Sequence, residues 1–246
     1  MHGQTTELAG RVALVSGGGR GIGRAIALAL ARHGATVAVA ARTSSEVRAV
    51  AAECEGGAMG MVLDVREESS CEEAVARCHR ELGGPHVLVA AAGVSSSEKF
   101  TDLTLDRWRE TMAIDLDGTF LLIRSALPSM LEAGWGRVVS IGSTASRAGA
   151  PYVAAYTAAK HGVLGLTRSL AAEYAKSGVT FNCVCPGFAD TPMTEQTIRN
   201  IVTSTGRVAG DARRAIMGPQ GRLIEPAEIA DLCVFLASDR GRSING

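Results

Sequence analysis

Six short apolar runs rich in valine, each followed by a stretch with helical spacing or a turn, set the limits on this fold. The runs are "RVALVS" (11–16), "ATVAVAA" (35–41), "MGMVLD" (59–64), "HVLVAA" (86–91), "RVVSI" (137–141) and "VTFNCV" (179–184). Continuous apolarity, rather than alternation, implies burial on both faces, which belongs to the strands of a parallel sheet covered by helices. The segments between them, from "GIGRAIALALARHG" and "SSEVRAVAAEC" to "LDRWRETMAIDLDGTFLLIRSALPSML" and "AAYTAAKHGVLGLTRSLAAEYAKSG", repeat apolar residues at helical intervals. Gly34 and Gly178 close the first and last of these as helix stops. The pattern predicts an α/β fold, a Rossmann-type doubly wound parallel sheet. At 246 residues, with no repeat, low-complexity tract or linker, residues 1–246 read as a single domain.

The alternation breaks once. Residues 190–222 form a long excursion between the sixth run and a helix starting near Pro226. An insertion at the C-terminal end of a strand in this architecture reads as a substrate lid.

Composition narrows the function. The 25 basic and 25 acidic residues balance, and aromatics make up 4%. Neither a nucleic-acid partner nor a membrane surface is expected from that balance. Six cysteines lie at 54, 71, 78, 183, 185 and 233 with no C-x-x-C pair or histidine cluster, so free thiols are expected and no metal site. With no apolar leader or membrane-spanning stretch, the expected location is cytoplasmic.

The first run opens into Ser16-Gly17-Gly18-Gly19-Arg20-Gly21-Ile22-Gly23. Glycines between a strand and a helix let the backbone approach a pyrophosphate, which the helix N-terminus then binds. The spacing differs from G-x-G-x-x-G. A carboxylate at the end of the second strand would select NAD through the ribose 2′-hydroxyl. Here Ala40, Ala41 and Arg42 stand there, with no acid before Glu46. Arg42, helped by Arg20, suits a 2′-phosphate, so the expected cofactor is NADP(H); the alternative is two solvated surface charges. Asp64, closing the third strand, is expected at the adenine edge or as a turn cap.

"PYVAAYTAAK" (151–160) has tyrosines four apart and a lysine four beyond the second. In a helix, Tyr152, Tyr156 and Lys160 would share one face. Ser143 lies thirteen residues before Tyr156, just past the fifth run. With the glycine turn, Pro186-Gly187, Thr191 and "FLASD" (235–239), this set resembles the short-chain dehydrogenase/reductase family over nearly the whole chain. The "CPGFADTPMT" stretch resembles bacterial acyl and polyketide ketoreductases.

The resemblance implies carbonyl reduction with Tyr156 as proton donor, Lys160 lowering its pKa and holding the cofactor ribose, and Ser143 orienting the substrate oxygen. A free tyrosine, with a pKa near 10, needs such help to act as a base. It further implies cofactor contacts at the turn (Gly17, Gly19, Arg20, Gly21, Ile22, Gly23), at Arg42, Asp64 and Val65, at Ala92 and Gly93, and at Pro186, Gly187 and Thr191. Ser95, Tyr152, Phe188 and Met193 fall on the substrate side, with plain packing the alternative for Tyr152.

Three departures stand out. The family's N-N-A-G run is Ala90-Ala91-Ala92-Gly93 here, which removes strand-tethering hydrogen bonds. The family's catalytic asparagine corresponds to Asp115, a carboxylate that favours charged Lys160 but disfavours a Tyr156 phenolate. The sequence ends at "RSING", where the family continues into a seventh strand, so a missing C-terminal strand is expected. The resemblance implies a homo-oligomer, dimer or tetramer; pairing through the two long helices of 105–131 and 154–178 should survive without that strand.

For the substrate, the lid offers Met193, Ile198, Ile201 and Val202, with Arg199, Arg207, Arg213, Arg214 and Arg222 against Glu195 and Asp211. An apolar cleft with a basic rim suits a β-ketoacyl thioester on coenzyme A or a carrier protein; the alternative is solvated arginines. Two further readings stay open: a hydroxyacyl or secondary-alcohol dehydrogenase, and a non-catalytic NADP(H)-binding protein on the same fold.

Overall fold

The computed structural model describes residues 7–246. Six parallel strands form one sheet: β1 (Val12–Ser16), β2 (Thr36–Ala41), β3 (Ala58–Val62), β4 (Val87–Ala90), β5 (Gly136–Ile141) and β6 (Val179–Val184), in the order β3-β2-β1-β4-β5-β6. Every predicted run is a strand, within a residue or two at each end. Successive residues of a strand face opposite layers. Ala13 and Val15 of β1 pack with Val37 and Val39 against α1 (Gly21–Arg32) and α9 (Pro226–Ala237). Val12 and Leu14 pack with Ala38 and Ala40 towards α3 (Glu68–Leu82) and α5 (Gly118–Glu132). Both faces are therefore dry, which explains the unbroken apolarity of the strands. Strand order reverses between β1 and β4, leaving a crevice at their C-terminal ends.

The remaining helices are α2 (Ser44–Glu53), α4 (Leu105–Met112), α6 (Ala154–Glu173), α7 (Pro192–Thr205) and α8 (Ala209–Ile216). Two helical readings need correction. Residues 105–131 are not one helix: a π-helical turn over Ala113–Asp117 separates α4 from α5 and carries the buried Asp115. Helix α6 stops at Glu173, before Gly178, because a turn closed by the Ser177 N–H on the Tyr174 carbonyl takes over.

The excursion at 190–222 contains α7 and α8. Its basic rim is mostly neutralised, contrary to expectation. Arg213 pairs with Asp190 at 3.3 Å and with Glu195, Arg214 pairs with Asp211, and Arg222 pairs with Glu228 at 2.6 Å. Ile198 is buried against the body, while Met193 is 42% exposed.

Among the described residues the sheet has no seventh strand. Residues 244–246 lie along the β6 edge: Asn245 Oδ1 accepts the Phe181 N–H, and the Gly246 N–H reaches the Phe181 carbonyl, each at 2.8 Å.

Candidate active site

A cleft of about 530 Å³ opens where the strand order reverses, lined by the segments that follow all six strands. Its floor is the glycine turn. Gly17 takes φ +66°, and a Cβ there would lie 2.8 Å from the Ala91 backbone, so only glycine lets the turn close on the end of β4. The Arg20 side chain does not cap α1, and no acid occupies the helix's first turn. Free N–H groups and the positive end of the helix dipole therefore face the cleft, which fits a pyrophosphate.

Gly19, Gly21, Ile22 and Gly23 line the cleft with Arg20, as expected. Arg42 lies on it at the end of β2, and Leu63, Asp64 and Val65 follow β3. The Asp64 carboxylate is held by Arg66, whose Nε lies 2.9 Å from Oδ1; this hydrogen bond keeps Asp64 below the usual carboxylate range. Ala92, Gly93 and Ser95 follow β4. The alanines that replace the asparagine run are tethered from elsewhere: buried Ser16 Oγ accepts the N–H groups of Ala91 (3.1 Å) and Ala92 (3.3 Å).

Tyr156 and Lys160 reach the cleft from the first two turns of α6. Lys160 is 5% exposed, and its Nζ sits 5.6 Å from the Tyr156 ring centre. Nζ donates to the Ile141 carbonyl at 3.1 Å and faces Asp115 Oδ2 at 3.4 Å. Asp115 is fully buried, and its Oδ1 accepts the Val94 N–H at 2.8 Å. Burial pushes the Asp115 carboxyl upward against the pull of Lys160 and Val94. Burial pulls Lys160 down, but Asp115 and Tyr156 outweigh it, and the ammonium is held above its ordinary value.

Ser143, half-buried, follows β5 next to Gly142, which lines the cleft; Ser143 itself does not line it. Its Oγ accepts the Ala145 N–H at 3.1 Å, which fixes the hydroxyl and leaves its hydrogen to donate. Pro186 and Gly187 lie behind it, and the Pro186 carbonyl accepts the Thr144 N–H at 2.8 Å. Thr191 caps α7 and, with Met193, lines the cleft opposite Gly21. Phe188 is 43% exposed and does not line it.

Tyr152 is a correction. It does not share a helical face with Tyr156 and Lys160, because α6 begins at Ala154. Tyr152 sits in a turn with φ +68°, 60% exposed and off the cleft, its carbonyl accepting the Glu98 N–H at 2.8 Å. Residues Pro151 and Tyr152 form a turn that precedes the helix.

Among the cleft residues that the sequence reading did not assign to the site are Glu46, Gln196 and Arg199, the last of which entered only as a lid arginine. Glu46, in the first turn of α2, lies 3.9 Å from Arg20. Gln196 and Arg199 follow Pro192 at helical spacing and bond to each other at 2.7 Å, a periodicity that marks one face of the lid helix.

A sheet with its nucleotide-type crevice at the strand-order reversal, and a tyrosine–lysine pair at its mouth, defines a Rossmann-type oxidoreductase. The family model described as short chain dehydrogenase matches residues 11–201, and the chain belongs to that family. It is 35% identical over 244 residues to D-beta-hydroxybutyrate dehydrogenase of Rhizobium meliloti, covering 96% of this chain and 95% of the relative. Acetoacetyl-CoA reductase of the same organism is 38% identical over 236 residues, covering 96% and 94%. The crystal structure of a Phe-to-Trp variant of actinorhodin polyketide ketoreductase with NADPH superposes with a TM-score of 0.93 at 33% identity, covering 98% of this chain and 95% of that one.

Proposed function

We propose that this chain is an NADP(H)-dependent ketoreductase that converts the ketone of a β-ketoacyl thioester, or a polyketide-like carbonyl, into a secondary alcohol. The observation that carries the reading is the placement of Tyr156 on the cleft beside the anchored Lys160 ammonium. A bound nicotinamide supplies the hydride; the chain's own residues manage the oxygen and its proton. Ser143 donates a hydrogen bond to the substrate oxygen and orients it. Tyr156 donates its phenolic proton to that oxygen in reduction and takes it back in oxidation. Lys160 holds the ribose hydroxyls. Thr191 and the Pro186–Gly187 backbone hold the carboxamide side, and the uncapped start of α1 takes the pyrophosphate.

Arg42 and Arg20 recognise the 2′-phosphate. The lid of 190–222 covers the substrate, with Met193 and Ser95 on the cleft wall. A thioester is favoured by the relatives named acetoacetyl-CoA reductase and polyketide ketoreductase, not by the lid's arginines, most of which are paired. The setting is cytoplasmic and the assembly a homo-oligomer, dimer or tetramer, formed through α5 and α6; Phe120 on α5 is 43% exposed.

One observation favours a second reading. Glu46 on the cleft offers a carboxylate to a ribose 2′-hydroxyl, which suits NAD and oxidation of a hydroxy acid, the activity named for the 35% identical dehydrogenase. Nicotinamide absorbance, followed with both reduced cofactors over acetoacetyl thioesters and cyclic ketones and with both oxidised ones over 3-hydroxybutyrate, separates the readings. NADPH oxidation with the acetoacetyl thioester is expected. Turnover confined to NAD and 3-hydroxybutyrate would replace the first reading with the second.

A further inference from the structure

We infer that Arg199, on the lid helix α7, binds the pyrophosphate of the dinucleotide from the side opposite the glycine turn. The inference rests on the reading of the cleft as a dinucleotide site.

Charge on the cleft points to this arginine. A pyrophosphate is anionic, and the start of α1 meets it with N–H groups and a helix dipole. Among the described residues four cations line the cleft: Arg20, Arg42, Lys160 and Arg199. Three are engaged elsewhere. Arg42 and Arg20 serve the 2′-phosphate, and Arg20 also faces Glu46 at 3.9 Å. Lys160 is buried between the Ile141 carbonyl and Asp115. Arg199 is left.

The entry of α7 into the cleft sets its position. Thr191, which caps α7, packs on the start of α1: its Cγ2 lies 3.4 Å from where a Gly21 Cβ would stand. Pro192, Gln196 and Arg199 share one face of α7, and all three line the cleft. A side chain on a helix leans back towards the helix start. Arg199 does so, its Nη2 and Nε both donating to Gln196 Oε1, at 2.7 and 3.2 Å. The guanidinium is thereby carried one turn nearer the end of α7 that meets α1.

Its partner leaves its charge intact. Gln196 is neutral, and its Nε2 donates in turn to Asn200 Oδ1 at 2.9 Å. Arg213, Arg214 and Arg222 each hold a carboxylate, but among the described residues none lies within 4.0 Å of Arg199. A planar guanidinium matches phosphate oxygens, and a bond to an anion is about twice as strong as one to a neutral acceptor. A phosphate therefore takes the place of the Gln196 amide oxygen.

Coenzyme A would be a second source of pyrophosphate. The dinucleotide is favoured because the cleft that Arg199 lines contains the glycine turn, whereas Ser143 and Phe188 of the substrate side do not line it.

The test is calorimetric binding of NADPH, NADH and 2′-phospho-ADP-ribose, which keeps the pyrophosphate and lacks the nicotinamide. The proteins are the wild type, Arg199→Gln and Arg207→Gln, with the KM for acetoacetyl-CoA measured on each. Both arginines are exposed lid residues without a carboxylate partner, but Arg207 lies off the cleft. Arg199→Gln should raise all three dissociation constants by a common factor of about ten, and the loss should shrink at high salt. Arg207→Gln should leave them unchanged. Unaltered binding in Arg199→Gln would overturn the inference, as would an equal loss in Arg207→Gln, which would make the effect one of general charge. A loss confined to NADPH and 2′-phospho-ADP-ribose would place Arg199 on the 2′-phosphate, and one that spares 2′-phospho-ADP-ribose would place it on the nicotinamide half. A change confined to the KM for acetoacetyl-CoA would place it on the substrate. Each of these also overturns the inference. Failure of the wild type to bind any of the three ligands would instead overturn the dinucleotide reading beneath it.

Discussion

Ser16 Oγ, at the end of β1, accepts the backbone N–H of Ala91, at the end of β4, at 3.1 Å. This bond and its neighbour to Ala92 join the two strands where their order reverses, and so hold the cleft floor in place. The alanine run at 90–92 has no side chain for that task. Ser16→Ala leaves the half-buried Ala91 and Ala92 N–H groups without this partner, at a cost of about 1–3 kcal/mol in all. We expect a urea midpoint shift corresponding to a loss in that range, with weaker cofactor binding. A variant within about 0.5 kcal/mol of wild type would show that water or another group takes over.

Arg42 and Glu46 oppose each other in cofactor choice. Both line the cleft, and Glu46 lies 3.9 Å from Arg20. Arg42→Ala should raise the NADPH Kd by about ten- to a hundredfold, the value of a charged hydrogen bond, and leave NADH nearly unchanged. Glu46→Gln should tighten NADPH by removing a carboxylate near the 2′-phosphate. Fluorescence titration of both cofactors reads this directly; an equal loss for both in Arg42→Ala would remove that residue from 2′-phosphate recognition.

Glu228 and Arg222 tie the end of the lid to α9 through 2.6 and 2.7 Å bonds. The Arg222 hydrogen bond and the Glu225 N–H hold the Glu228 carboxyl at about 2, below its ordinary 4.5. A carboxyl lowered in the folded state stabilises above its unfolded value, and that stabilisation is lost as pH falls from 4.5 towards 2. The pair is half exposed, so solvent and salt reduce its effect. Glu228→Gln keeps the cap on α9 but drops the charge. Urea midpoints of the two proteins should differ at neutral pH and converge at the acid end; a constant offset would mean that the ion pair contributes nothing.

The sheet was legible in the sequence because burial on both faces leaves an unambiguous apolar run, and all six runs became strands. The glycine turn was legible because a backbone approach such as Gly17 to Ala91 excludes every other residue. What escaped was decided by contacts distant in sequence. Tyr152 has the right spacing for the α6 face, but it takes φ +68° in a turn whose carbonyl accepts the Glu98 N–H. The π-helical turn at Ala113–Asp117 leaves no signal in residue spacing, yet it carries Asp115 opposite Lys160. Arg213 read as part of a basic rim because its partners Asp190 and Glu195 lie 23 and 18 residues away along the chain.

The most direct test of the account is the rate of NADPH oxidation with an acetoacetyl thioester, compared between the wild-type protein and Tyr156→Phe, with NADPH binding measured on both. The account predicts turnover in the wild type, a loss of about a hundredfold or more in the variant, as expected when a general acid is removed, and nearly equal NADPH affinity. Undiminished turnover in Tyr156→Phe would contradict it.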